Sequence, residues 1–194
     1  MPRLDGESRR RQLAEALWRV VLRDGIQAAS VRKVASEAGV SAGSLRHVFP
    51  SQSELLAFAM ELIIEEVSRR VADVEPSGEI RDVVERRLQS LLVLDPESRA
   101  VFEVWLAFSG RARVDATLRP LRDETHGRVR ELCRVALETL IAHRKALSDL
   151  DVPFETERLH ALVDGLAMHA TLDQDVTTAA RQIEVLSRHL DTLA

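Results

Sequence analysis

Leu13, Leu17 and Val21 stand four residues apart among polar neighbours, a pattern that predicts an amphipathic helix over residues 7–23, ended at Asp24-Gly25. Val31, Val34 and Ala35 recur at helical spacing and predict a second, short helix. Ser30 stands just before it, where a hydroxyl can accept from an orphan backbone N–H. Gly39 marks the exit from that helix, since glycine enters the left-handed conformation without a Cβ penalty. Val40 fits the angle between two helices, and Ser41 is placed to cap the next. That third helix, residues 42–48, carries Ala42, Gly43, Ser44, Arg46 and His47 around a single buried anchor, Leu45. After Phe49-Pro50, the tetrad Ser51-Gln52-Ser53-Glu54 has the form of a capping box. Leu55, Ala59, Leu62, Ile63, Val67, Val71 and Val74 then continue a long helix over residues 51–74.

Pro76-Ser77-Gly78 breaks this helix and reads as a linker. Further helices are predicted over residues 79–94, from Asp95-Pro96 through 109, and over 114–146, where Pro120 kinks the segment or delays its start. A polar stretch, 148–152, leads through Pro153 to two final helices, 154–172 and 177–193. No strand-like alternation and no internal repeat is evident. The expected fold is all-α with about nine helices. An N-terminal three-helix domain, 1–50, precedes a helical regulatory, ligand-binding and dimerisation domain, 51–194, and the helix 51–74 connects them.

The chemistry of residues 30–49 is that of a helix-turn-helix. A short helix of small and polar residues makes poor core, but it suits a DNA groove, where Arg46 and His47 can reach bases or phosphates. An ordinary helical hairpin shares the same local pattern.

The overall charge of −4 argues at first against a nucleic-acid protein. Its distribution reverses that. Residues 1–50 hold nine Lys/Arg against five Asp/Glu, a net +4, and the remainder holds 18 against 26, a net −8. A basic head can meet phosphate while an acidic body repels it. With 45% hydrophobic and 30% charged residues the composition is that of a globular protein. No apolar run approaches the roughly 20 residues of a membrane span. The first twelve residues are charged and lack the apolar core of a secretory signal, so a cytoplasmic address is expected. The single cysteine, Cys133, excludes an intrachain disulfide and a multi-thiolate zinc site.

The run 10–55, with Leu13, Ala16, Gly25, Ser30, Val34-Ala35, Ala38-Gly39-Val40-Ser41, Gly43, Leu45, Phe49 and Leu55, closely resembles the DNA-binding domain of the TetR family of bacterial transcriptional regulators. The segments Phe102-Glu103-Val104-Trp105-Leu106-Ala107-Phe108 and Ala161-Leu162-Val163-Asp164-Gly165-Leu166-Ala167-Met168 resemble the regulatory domain of its BetI-type branch.

The resemblance implies a homodimer whose heads enter successive major grooves of a palindromic operator in double-stranded DNA. By position, Ser30 would contact a phosphate, and Arg32 and Lys33 would lie near the backbone or an adjacent base. Ser41, Ala42, Ser44, Arg46 and His47 would form the recognition helix, Gly43 would allow close approach, and Leu45 and Phe49 would anchor it. Three positions depart from the family pattern: Arg46 stands where Tyr is usual, Val48 where His is usual, and Gln52 where Lys often opens the next helix. Arg46 has both the charge of a phosphate clamp and the fork of a guanine reader.

For the regulatory half, the resemblance implies a cavity for an unknown small-molecule effector. Phe102, Trp105, Leu106 and Phe108 concentrate aromatic and apolar side chains on one segment, with His126 and Cys133 as further candidates; plain core packing is the alternative for each. His126 and Cys133 stand seven apart without a third ligand, so no metal and no cofactor is expected. His160, Asp164 and His169 read as polar positions on or beside a dimer face. Two apolar stripes, Leu159, Leu162, Val163 and Leu166, then Ile183, Leu186 and Leu190, suit a four-helix dimer interface, or equally the chain's own core.

No nucleophile beside a base, no phosphate-cradling glycine loop and no tyrosine occurs, which argues against an enzyme. The expected mechanism is a repressor released from its operator by ligand. An activator, or a regulator without a small-molecule effector, is the alternative.

Overall fold

The computed structural model describes residues 6–173 and 175–194, with side chains from Arg9 onward. Nine α-helices and two 3-10 turns, with no strand, make up the described residues. The helices are α1 (Gly6–Asp24), α2 (Val31–Glu37), α3 (Ala42–Arg46), α4 (Gln52–Ala72), α5 (Ile80–Gln89), α6 (Pro96–Ala112), α7 (Arg119–Ala142), α8 (Val152–Leu172) and α9 (Ala179–Asp191). None is long and apolar enough to cross a membrane.

The chain forms two compact units, one comprising the residues up to Ile64 with Glu103–Arg122, the other Glu65–Phe102 with Asp123–Ala194. This differs from a single cut after residue 50, because α4, α6 and α7 each contribute residues to both units. A helix whose apolar pattern runs unbroken shows no boundary in sequence.

In the first unit Leu13, Leu17, Val34, Leu45 and Leu55 are all at most 1% exposed, so the predicted apolar faces of α1 to α4 meet in one core. Phe49 packs on Phe58 with ring centroids 4.9 Å apart. The buried Ser53 hydroxyl receives Arg111 Nε at 3.1 Å.

The second unit is built around Val84, Leu88, Leu137, Leu140, Leu159, Val163, Leu186 and Leu190. Gln182, fully buried, ties α9 to the strap after α5: its Oε1 accepts from the Val93 amide at 3.0 Å and its Nε2 donates to the Val93 carbonyl at 2.6 Å. A buried amide satisfied in this way costs little to bury.

That strap explains why α5 stops at Gln89, short of the predicted 94. The Val93 backbone is taken by Gln182, and the Ser98 hydroxyl accepts from the amides of Leu94 and Asp95 at 2.9 and 3.0 Å, so neither end is left for a continuing helix. Asp95 caps α6 as expected, accepting from the Ser98 amide at 2.6 Å. Pro120 delays the start of α7: a 3-10 turn, Ala116–Leu118, precedes it and Pro120 falls in its first turn, where no N–H is missed. The helix ends at Ala142 because Arg144 takes a left-handed conformation, φ 56°.

Candidate nucleic-acid interface and regulatory residues

The helix-turn-helix is closed by backbone bonds that the sequence made legible. Ser30 Oγ accepts from the Lys33 amide at 3.3 Å and caps α2; Ser41 Oγ accepts from the Ser44 amide at 3.0 Å and caps α3. Between them Gly39 takes φ +67°. The Val40 amide then donates to the Ala35 carbonyl at 3.0 Å and the Gly39 amide to the Ser36 carbonyl at 3.2 Å, the paired bonds of a glycine helix cap. The Gln12 amide donates to the Ala38 carbonyl at 2.8 Å and pins the corner to α1.

This frame buries Leu45 completely and leaves the remainder of α3 outward. Ser41, Gly43, Arg46 and His47 are exposed, with Ala42 and Ser44 half-buried. Helix α3 ends at Arg46, so His47 sits at its C-cap and Val48 lies beyond it, 41% exposed. A Cβ added at Gly43 would meet only the Ser41 hydroxyl, at 3.9 Å, so the glycine's outer side is open.

The charges fall into two sets. Glu37 of α2 takes Arg19 Nε and Arg23 Nη1 of α1, each at 2.9 Å, and both guanidinium groups hold its carboxyl below the usual carboxylate range. Asp24, lowered by Arg23 and then Lys33, receives Lys33 Nζ at 3.1 Å. Arg32 and Arg46 make no ion pair among the described residues, and both are exposed. Their charge is free for phosphate, whereas that of Lys33 is shared with Asp24. Gln52 is exposed, but its Nε2 donates to the Ala29 carbonyl at 2.6 Å, tying the start of α4 to the loop before α2.

Arg9, which the sequence pattern did not single out, donates from Nη2 to the Ser44 hydroxyl of α3. Its place follows from the packing of α2 on both α1 and α3, which brings the start of α1 to α3 and for which a lone arginine in a basic run gives no signal.

The regulatory candidates divide. Trp105 and Leu106 of α6 are half-buried, Phe102 is 9% exposed, and Phe108 is closed off completely. Cys133 is fully buried in the core of the second unit, among the leucines of α7, α8 and α9, and burial pushes its thiol up to about 12. It is a core residue with no surface to offer a ligand. His126 is exposed and stands against His160 of α8 instead.

The stripe expected at a dimer face requires a correction. Leu159, Val163, Leu186 and Leu190 are at most 1% exposed within a single chain, and Leu166 is 8% exposed; all five belong to the chain's own core. Leu162 and Ile183 are half-buried. The outward side of α8 carries Phe154, Ala161, Met168 and Leu172, with half-buried Gly165 between them. An apolar stripe facing a core and one facing a partner have the same period, so spacing alone could not separate them.

A basic, glycine-turned helix pair, capped at both helices and presenting small and cationic side chains outward, defines a helix-turn-helix DNA-binding protein. Residues 13–65 match the bacterial regulatory proteins of the tetR family, and residues 80–194 match the C-terminal part of BetI-type transcriptional repressors. The chain belongs to the TetR family and is a transcriptional regulator, not an enzyme. Regulators of this family bind operator DNA, act as dimers and bind small-molecule effectors.

The HTH-type transcriptional regulator PksA of Bacillus subtilis is 40% identical over all of this chain and 94% of its own length. A transcriptional regulator from Rhodococcus sp. Rha1 shares 28% identity and a TM-score of 0.77, covering 95% of both chains. The multidrug binding protein EbrR, solved with proflavin, is 27% identical with a TM-score of 0.61, over 93% of this chain and 98% of that one.

Proposed function

We propose that this regulator is a cytoplasmic repressor that leaves its operator when a small molecule binds its regulatory half. The DNA-reading work is assigned to residues 1–50 and the sensing and pairing to 51–194. The observation that carries the reading is the exposed face of α3, where Ser41, Gly43, Arg46 and His47 project from a turn held by Gly39. Ser44 and Ala42 flank them, Arg32, Lys33 and Ser30 face the adjoining backbone, and Gln52 positions the loop before α2.

Pairing of two copies places two such short helices one DNA turn apart, giving an affinity that one cannot supply. The dimer face is assigned to the outward side of α8, through Phe154, Ala161, Gly165, Met168 and Leu172, with Ile183 of α9. A Cβ at Gly165 would meet nothing within 4 Å in one chain, which leaves room for close approach by a second helix.

Sensing is assigned to the half-buried Trp105 and Leu106 of α6, an indole face suited to aromatic or cationic ligands. EbrR, solved with proflavin, supports that ligand chemistry. A ligand shifts the DNA-bound state only by its differential affinity for the two conformations.

Deleting the gene should raise transcription from a promoter that the purified protein shifts in a gel, with two chains per site. Lowered transcription would make it an activator. A proflavin titration of a Trp18→Phe variant, followed through Trp105, tests the sensing residue: quenching with release of DNA supports it, and release with no change in fluorescence removes Trp105 from the site.

A further inference from the structure

Helices α7 and α8 of the second unit bring three metal-binding side chains together far from the DNA-reading face in sequence. His126 of α7 and His160 and Asp164 of α8 offer ligand atoms that all lie within 4.8 Å of one another. His160 Nε2 and Asp164 Oδ2 are 3.5 Å apart, and the rings of His126 and His160 have centroids 4.4 Å apart at a tilt of 50°.

We infer that His126, His160 and Asp164 form a site for one divalent transition cation of the zinc class, with the remaining position open to water. Two imidazoles and one carboxylate make a borderline donor set that suits zinc and, by the same chemistry, cobalt or nickel. His160 and Asp164 stand one helical turn apart, the spacing that puts two ligands on one face of a helix. The third ligand comes from the neighbouring helix, so a bound ion would fasten α7 to α8.

The distances fit. Ligand atoms about 2.0–2.1 Å from a tetrahedral zinc lie about 3.3 Å from one another. The His160–Asp164 pair stands close to that already. Closing the rest requires a rotation of the His126 side chain, which is exposed and already stands against His160.

The neighbouring charged groups and the thiol are otherwise engaged. The charged neighbours, Arg130 of α7 and Glu157 of α8, pair with each other at 2.5 Å. Cys133, the nearest thiol on α7, is closed in the core and held protonated.

The test uses the full-length protein without a histidine tag, stripped with chelator and titrated with zinc chloride by calorimetry. One ion per chain should bind, and His126→Ala should weaken binding at least about 10-fold, the loss that even an outer-shell change can cause. His126 is exposed, so this variant should keep its fold, checked by circular dichroism. His169→Ala, on the outer side of α8, should bind as the parent does. Cobalt chloride should give visible d–d bands without the near-ultraviolet band of a thiolate ligand. Absence of saturable one-to-one binding, equal affinity in His126→Ala, or a thiolate band would each overturn the assignment.

Discussion

The side-chain amide of Gln12 on α1 donates to the backbone carbonyl of Ala38 at 2.8 Å, so the residue that opens the turn is held from outside the turn. The Ala38 carbonyl lies at the end of α2, where helix carbonyls lack intrahelical partners. Gln12→Ala should therefore destabilise the protein by about 1 kcal/mol and loosen α3 relative to α1. Chemical denaturation checks the first effect, and faster amide exchange across residues 38–46 checks the second.

Two helix ends use one backbone device with different residues. After α2 it is Gly39 at φ +67°; after α7 it is Arg144 at φ 56°, with the Lys145 amide donating to the Leu140 carbonyl at 2.8 Å. A side chain in that conformation costs about 1–2 kcal/mol. Gly39→Ala should lose about that much although the site has open space, while Arg144→Gly should be neutral or gain up to about 1 kcal/mol. Thermal melts of the two variants should move in opposite directions or, for the second, stay still.

What the sequence made legible follows from the reach of each signal. Ser30, Gly39 and Ser41 act on backbone groups within five residues, so their roles could be read directly. Arg144 could not, because no local rule announces an arginine in the left-handed region. The stripe that holds Leu159 and the one that holds Leu190 suit a partner face or the chain's own core equally in sequence, because both kinds of stripe share one period, and burial within one chain decides for the core. His126 lies on α7 and His160 and Asp164 on α8, and only the approach of the two helices joins the three.

Cys133 is fully buried and its thiol is pushed up to about 12, chiefly by burial. In the native protein it should resist iodoacetamide at neutral pH, and it should react once denaturant unfolds the chain. Labelling of the folded protein at the rate of a free thiol would contradict its place in the core.

Burial also lowers the His160 and His189 imidazoles from their ordinary value near 6.5. The unfolded chain then takes up protons first as pH falls, so this contribution to stability is full above about 6.5 and is lost as pH drops through the lower folded values. Asp164, raised by burial, works in the opposite sense: its contribution is present at low pH and lost as pH rises through its folded value. Melting temperature should fall between pH 7.5 and about 5.5, and more shallowly in a His160→Asn, His189→Asn double variant. An unchanged slope in that variant would assign the loss to other groups.

The DNA-reading role of α3 is tested most directly at Arg46, which is exposed and makes no ion pair among the described residues. Binding to the DNA upstream of its own gene, followed by fluorescence anisotropy over a range of salt, should be salt-sensitive. Arg46→Ala should weaken it across all sequences with a salt slope smaller by about one, and Arg46→Glu should weaken it further. Relaxed preference at one base pair with the slope unchanged would make Arg46 a base reader. Undiminished binding by Arg46→Glu, with the parent's salt dependence, would contradict the account.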